Sequence, residues 1–206
     1  MALLFAKNNS LSAVTALPTA VSGGGLNLIS TQTASSSATI DFTSGIDSTY
    51  KEYIFKFIDI HPATDKANFQ FQVDTGTNTN YNQTVTSTHF TTRHHEDASA
   101  TSLGYDTGSD LAQSTSFIPL TSGSTANNND DCMCGEIWLF GISSTTFVKH
   151  FMTKFTNVNS TSDPNAKSSY VAGYFNTTSA IDEIQFKFSS GNIDSGTFKL
   201  YGIKDS

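Results

Sequence analysis

The sequence predicts an all-β protein: an antiparallel β-sandwich of the jelly-roll kind, preceded by an extended N-terminal arm. Apolar and polar residues alternate with a period of two along many segments, and no long window carries the spacing of an amphipathic helix. Clusters of Gly, Asn, Asp and Ser separate these segments. The 206 residues include 16 phenylalanines, which favour a large sandwich core because each buried ring removes about 150–250 Å² from water.

Two kinds of strand are predicted. In residues 67–74, Phe69, Phe71 and Val73 share one face and polar residues share the other, which is typical of a half-buried strand. Residues 52–61 carry apolar side chains on both faces, so we expect a central strand or one covered by another chain. The last two predicted strands are expected to form a hairpin. The predicted strands span 26–34, 37–43, 50–61, 67–74, 84–93, 116–121, 135–142, 145–156, 169–176, 182–189 and 197–204.

The chain divides into an arm over residues 1–25 and one β-sandwich domain over residues 26–206. The arm has no periodicity and ends in three glycines, Gly23–Gly25. Its apolar residues Leu3, Leu4 and Phe5 are expected to dock on a neighbouring subunit, the alternative being a frayed terminus. The apolar run Ala2–Ala6 is too short for a signal peptide and no positive charge precedes it, so no cleaved leader is expected.

The charge pattern excludes some partners. The net charge is −7, only 14% of residues are charged, and no run of Lys or Arg occurs, which argues against nucleic-acid binding. No stretch approaches the roughly 18 apolar residues of a membrane span, so no membrane partner is expected. Polarity comes instead from Thr, Ser and Asn, which suit water-facing sheet surfaces and turns.

Cys132 and Cys134 form a Cys-x-Cys pair, the only cysteines of the chain. Such a pair can offer thiolates to zinc, but a closed site needs four ligands and no second pair supplies them. A disulfide across one intervening residue would be strained. We therefore interpret both residues as ordinary thiols at the start of a strand, and their redox state is left open.

The segment THFTTRHHEDAS is the densest cluster of titratable residues, and His89, His95 and Glu96 are its weak candidates for metal ligands. On an extended strand His89 and His95 share a face but lie too far apart to bind one ion unaided. A hydrated loop at a strand end explains the cluster better. No metal and no other cofactor is therefore predicted.

Asp-Thr-Gly occurs twice, beginning at Asp74 and at Asp106. In aspartic proteases this tripeptide pairs two carboxylates, but here the surroundings of the copies differ and Asp and Gly are also what turns require. The turn interpretation is preferred. A hydrolase that pairs carboxylates from Asp74, Asp97 or Asp106 is the remaining enzymatic alternative.

Several phrases of the sequence resemble a known family. They are residues 38–74, residues 170–192 and the closing GTFKLYGIKD, with SGIDSTY at Ser44–Tyr50, His61-Pro62 and LYGIK at Leu200–Lys204 carrying the match. Together they resemble short virion structural proteins of tailed bacteriophages, notably marine and cyanobacterial ones. The resemblance covers about Ala38–Lys204 and implies a structural role, without catalytic residues to transfer.

The resemblance implies a component of the phage particle. The short length, the arm and the strands that are apolar on both faces favour a non-enzymatic capsid decoration or cement protein, made in the host cytoplasm and lying on the particle surface. Expected partners are further copies of the chain, in a homotrimer, and the major capsid protein or other virion proteins. The alternative is a tail-fibre or appendage module that binds host-surface glycan. Tyr81 and Tyr105 are the candidate glycan contacts, if aromatic side chains are exposed in the expected loops 75–80, 98–113 or 122–131.

Overall fold

The computed structural model describes residues 25–123 and 125–204, which form thirteen strands and no helix within these ranges. Accordingly, this part of the chain has no helix long and apolar enough to cross a membrane. The strands are β1 (Leu26–Ser37), β2 (Ile40–Phe42), β3 (Glu52–Pro62), β4 (Phe69–Asp74), β5 (Val85–His95), β6 (Thr101–Tyr105), β7 (Leu111–Ser114), β8 (Ile118–Pro119), β9 (Met133–Phe140), β10 (Lys149–Val158), β11 (Asn165–Phe175), β12 (Glu183–Phe188) and β13 (Ile193–Ile203).

The strands form two antiparallel sheets of unequal size. The larger sheet has nine strands in the order β1-β13-β3-β9-β10-β11-β5-β6, with β7 also paired to β5. The smaller sheet has four strands in the order β2-β12-β4-β8. The predicted antiparallel sandwich is confirmed. The unequal division of strands does not establish a jelly-roll connection, which stays a prediction.

The core lies between the sheets and consists largely of phenylalanine. Phe57 of the larger sheet and Phe69 of the smaller sheet have ring centroids 5.6 Å apart, and Phe71 and Phe151 pair across the sheets at 5.3 Å. All four rings are buried. Edge-to-face pairs of this kind add about 0.5–1.5 kcal/mol each to the burial of the rings. The alternating phenylalanines of the sequence therefore hold the two layers together.

The prediction that the last two strands form a hairpin is wrong, because β12 belongs to the smaller sheet and β13 to the larger one. Phe186 of β12 and Phe198 of β13 face each other across the core, with ring centroids 5.8 Å apart. The link between the two strands therefore crosses from one layer to the other. Alternation predicts which face of a strand is buried, but not which sheet the strand joins.

The expected loop 98–113 contains two strands that the sequence did not indicate, β6 and β7. Both pair with β5 at the edge of the larger sheet, and every residue of β6 is exposed. An exposed edge strand is held by backbone hydrogen bonds to its neighbour and needs no apolar face. The pattern that identifies half-buried strands is consequently absent from it.

The predicted central strand is confirmed: β3 lies between β13 and β9. Near its end the register to β9 shifts between Phe57 and Ile60, and Asp59 adopts a left-handed backbone conformation with φ of 53°. Such a β-bulge places an extra residue opposite its partner strand and re-aims the side chain.

Leu3, Leu4 and Phe5 of the predicted arm lie outside the described residues, so the docked arm remains a prediction. At the start of the described chain, the carbonyl of Gly25 accepts a hydrogen bond of 3.1 Å from the Lys204 amide. This bond extends the pairing of β1 with β13, the edge pair of the larger sheet.

Candidate interaction face

The face of the larger sheet that points away from the smaller sheet is the candidate interaction face, and we call it the outer face. No described strand covers it. Alternation along β10 shows its direction, because Phe151 and Phe155 are buried in the core whereas Met152 is 57% exposed. Strand register aligns the outward side chains of neighbouring strands into rows that run across the sheet.

The first row, the apolar row, crosses six strands without a charged side chain. At its centre Ile54 is only 3% exposed although it lies outside the core cluster, so its outer-face neighbours cover it. Leu28 and Met152, towards the two sides, are more than half exposed. In order across the sheet the row consists of Leu28, Tyr201, Ile54, Trp138, Met152 and Ala172.

The second row, the charged row, lies two residues along each strand. It consists of Lys199, Lys56, Glu136 and Lys154, aligned by register on β13, β3, β9 and β10. The ammonium of Lys56 donates to the carboxylate of Glu136, and this hydrogen bond lowers the pKa of Glu136 below its usual value. Three of the 11 basic residues of an acidic chain are thus concentrated in one row.

The charged row continues into an aromatic edge formed by Tyr170, Phe90 and Tyr105. The rings of Phe90 and Tyr170 stack with centroids 4.9 Å apart and planes at 10°. Phe90 is 42% exposed, and Tyr105 is 55% exposed with its hydroxyl donating 2.7 Å to Asp110. The predicted glycan contact Tyr105 therefore lies opposite Phe90, in one row with Tyr170.

A groove of about 450 Å³ lies on the outer face between β13, β3, β9 and β10. Its lining includes both apolar and charged groups, among them Ile58, Glu136, Lys154 and Tyr201. An open groove on a sheet suits contact with a protein or carbohydrate surface. Small substrates are instead usually held in enclosed sites.

The second predicted glycan contact, Tyr81, is only 7% exposed. Its hydroxyl lies 3.1 Å from a Glu183 carboxylate oxygen and donates to it, and its amide donates to Asp74 at 2.8 Å. Burial, followed by the hydrogen bond to Glu183, raises the pKa of the Tyr81 hydroxyl well above its usual range. These contacts tie Tyr81 into the fold and leave little of its ring for a ligand.

The three weak metal candidates are not brought together. His89 is completely buried on β5, Glu96 is exposed in the loop after β5, and His95 contacts Asp163 with 3.3 Å between Nδ1 and Oδ1. The structure therefore gives no shared ligand geometry to His89, His95 and Glu96. The distance along β5 between His89 and His95, which argued against a joint site in the sequence, also separates these residues in the structure.

The carboxylates of the Asp-Thr-Gly tripeptides each organise their own turn. Asp74 is completely buried and accepts hydrogen bonds from the amides of Thr75 and Tyr81, both at 2.8 Å. Asp106 accepts from the amide of Gly108 at 2.9 Å and from the hydroxyl of Ser122. These contacts support the turn interpretation of both tripeptides.

Cys132 and Cys134 are free thiols, Cys132 just before β9 and Cys134 within it, as predicted. Asp59, which the sequence did not single out, lies beside them: its Oδ1 is 3.9 Å from the Cys132 sulfur and 3.8 Å from the Cys134 sulfur. Alternation alone assigns Asp59 to the opposite face of β3 from Ile58, and the bulge overrides that assignment.

Comparison of the chain with protein-family models, with curated proteins and with solved structures finds no match.

Proposed function

We propose that the chain is a non-enzymatic structural protein of a phage virion, a capsid decoration or cement protein that packs through the outer face of its larger sheet. The apolar row carries this proposal. Its side chains are apolar across six strands, and Leu28 and Met152 are more than half exposed to the surroundings of the described domain. The resemblance of residues 38–204 to virion structural proteins agrees with it.

The occupant proposed for the outer face is a second copy of the same chain, within a homotrimer. Charge complementarity supports this choice, because the charged row is basic whereas the whole chain carries a net charge of −7. A basic row on one copy therefore meets a predominantly acidic surface on the next. The arm and the remaining sheet surface are then available to the major capsid protein, on the surface of a particle assembled in the host cytoplasm.

Particle composition tests this role. Gel densitometry and electron microscopy of purified virions should find the chain on the shell, in numbers comparable to the shell proteins. A copy number that matches tail components would contradict the decoration role.

The paired variants Met152→Glu and Phe147→Glu refine the test, since both residues are exposed but Phe147 lies in the turn before β10. Met152→Glu should abolish incorporation, and Phe147→Glu should not.

A second function, recognition of host-surface glycan by a tail-fibre or appendage module, is favoured by the aromatic edge. Exposed aromatic rings stack on the apolar faces of sugars, and Phe90 and Tyr105 offer adjacent exposed rings. A glycan array tests this alternative. Saturable binding that Tyr105→Ala removes and Phe147→Ala retains would favour it, whereas an array without signal would count against it.

A further inference from the structure

The thiols of Cys132 and Cys134 and the carboxylate of Asp59 form a cluster outside the apolar and charged rows. One ligand atom from each residue lies within 4.8 Å of the other two. The two sulfur-to-oxygen distances, 3.9 and 3.8 Å, are nearly equal. Within the described residues this is the group of His, Cys, Asp and Glu side chains that is compact enough to hold a metal ion.

The strands bring these groups together in two steps. Residues 132 and 134 are separated by one residue of extended chain, so their thiols project to the same side. Across the sheet, the register jumps from Phe57↔Gly135 to Ile60↔Met133, so Ile58 and Asp59 together oppose Cys134. The left-handed conformation of Asp59 turns its carboxylate towards the thiols, and its amide donates to the Cys134 sulfur at 3.4 Å.

We propose that Asp59, Cys132 and Cys134 bind a thiophilic divalent cation of the zinc type, with water in the fourth position. Zinc–sulfur bonds of about 2.3 Å and zinc–oxygen bonds of about 2.0–2.2 Å place tetrahedral S and O ligands roughly 3.6 Å apart. The sulfur-to-oxygen distances here exceed that value by a few tenths of an ångström. These two distances therefore fit tetrahedral coordination of one ion, and the two sulfurs lie within 4.8 Å of each other.

The donor set selects the class of ion. Two thiolates favour zinc and similar soft cations over magnesium or calcium, which take oxygen ligands. Asp59 and Cys132 also line a pocket of about 400 Å³ together with Asp130, Asp131 and Asp194. Those carboxylates make the approach to the site acidic, which attracts a cation, and the pocket has room for the water in the fourth position.

Two thiolates beside the Asp59 carboxylate would repel one another in the absence of a cation. A bound dication removes this repulsion, and each thiol that coordinates it releases its proton to solvent.

Cobalt(II) titration of the reduced full-length protein tests the site. Tetrahedral thiolate coordination gives intense visible ligand-field bands and a near-ultraviolet sulfur-to-cobalt band, and added zinc should displace the cobalt at one ion per chain. Cys132→Ser and Cys134→Ser should each weaken cobalt and zinc binding by roughly 100-fold or more, since loss of outer-shell groups alone costs 10–100-fold. Asp59→Asn should weaken binding while retaining the sulfur-to-cobalt band.

His95→Gln is the control, because His95 lies in a different cluster with Asp163 and should leave metal binding unchanged. Thermal unfolding in the presence of chelator shows whether each metal-free variant is folded. Zinc should raise the melting temperature of the wild-type protein and of His95→Gln, but of neither Cys variant. Cobalt binding without a sulfur-to-cobalt band, equal zinc affinity in Cys132→Ser, or no binding by the reduced protein would each overturn the proposal.

Discussion

Phe57 and Phe186 meet edge to face across the sandwich, with ring centroids 5.0 Å apart and planes at 74°. Phe57 comes from the central strand of the larger sheet and Phe186 from β12 of the smaller one. Phe186 also pairs with rings on both sheets, at 5.2 Å from Phe55 and 6.0 Å from Phe69. This one side chain therefore connects the layers at the middle of the core.

Replacing Phe186 by alanine should lower the free energy of unfolding by about 3–5 kcal/mol, because the truncation loses the burial of the ring and leaves a cavity. Urea denaturation measures the change. Phe147→Ala is the matched control, since Phe147 is 73% exposed and its loss should cost less than about 0.5 kcal/mol. Equal effects of the two substitutions would contradict this description of the core.

Asp74 should be a structural carboxylate. Asp74→Ala leaves the amides of Thr75 and Tyr81 without their acceptor, and Gln83 loses a bond of 3.1 Å. An orphaned buried donor costs about 1–3 kcal/mol, so the variant should lose at least about 2 kcal/mol of unfolding free energy. Asp74→Asn, which keeps one acceptor oxygen, should lose less.

The control for Asp74 is Asp97→Ala. Asp97 is exposed and accepts one hydrogen bond of 2.9 Å from the Ser99 amide, so its removal should cost under about 1 kcal/mol. Chemical denaturation of the three variants ranks these costs. An Asp74→Ala protein as stable as wild type would show that the turn does not depend on this carboxylate.

His89 should make the stability of the protein fall in mild acid. Its ring is completely buried on the inner side of β5, and this desolvation, only partly opposed by the negative charge of Asp106, lowers the pKa of His89 below its usual value. Below about pH 6.5 the unfolded chain binds a proton that the folded chain does not, so stability decreases as the pH falls towards the folded pKa.

The expected slope for one such histidine is at most about 1.4 kcal/mol per pH unit. Urea denaturation at about pH 7 and about pH 5 measures it. His89→Gln cannot titrate there and should show a smaller loss of stability between the two values than wild type. His94→Gln, at an exposed position of the same strand, should keep the wild-type loss. An unchanged slope in His89→Gln would refute the assignment.

The sequence was informative about the sandwich because its strands are half-buried and alternate regularly. Phe69, Phe71 and Val73 point into the core as their spacing predicted. The sequence could not predict β6, whose exposed residues show no alternation of apolar and polar side chains. Nor could it predict which sheet each of the last two strands joins. Both depend on long-range pairing, which local alternation does not encode.

The interaction face was only partly predictable. Apolar residues on both sides of β3 indicated a covered strand, but the apolar row joins residues of six strands, from Leu28 to Ala172, through strand register alone. The cluster of Asp59, Cys132 and Cys134 was missed because Asp59 reaches the two thiols through a β-bulge, and no residue type in that segment predicts a bulge. In both cases the sequence identifies the side chains, but the register between strands determines which of them become neighbours.

The central claim is that the outer face of the larger sheet is covered by further copies of the chain. Sedimentation equilibrium of the full-length protein tests it most directly. We expect the mass of a trimer of 22.1 kDa chains, reduced to that of a single chain by Met152→Glu and unchanged by Phe147→Glu. A wild-type protein that sediments as a single 22.1 kDa chain at every concentration would contradict the claim.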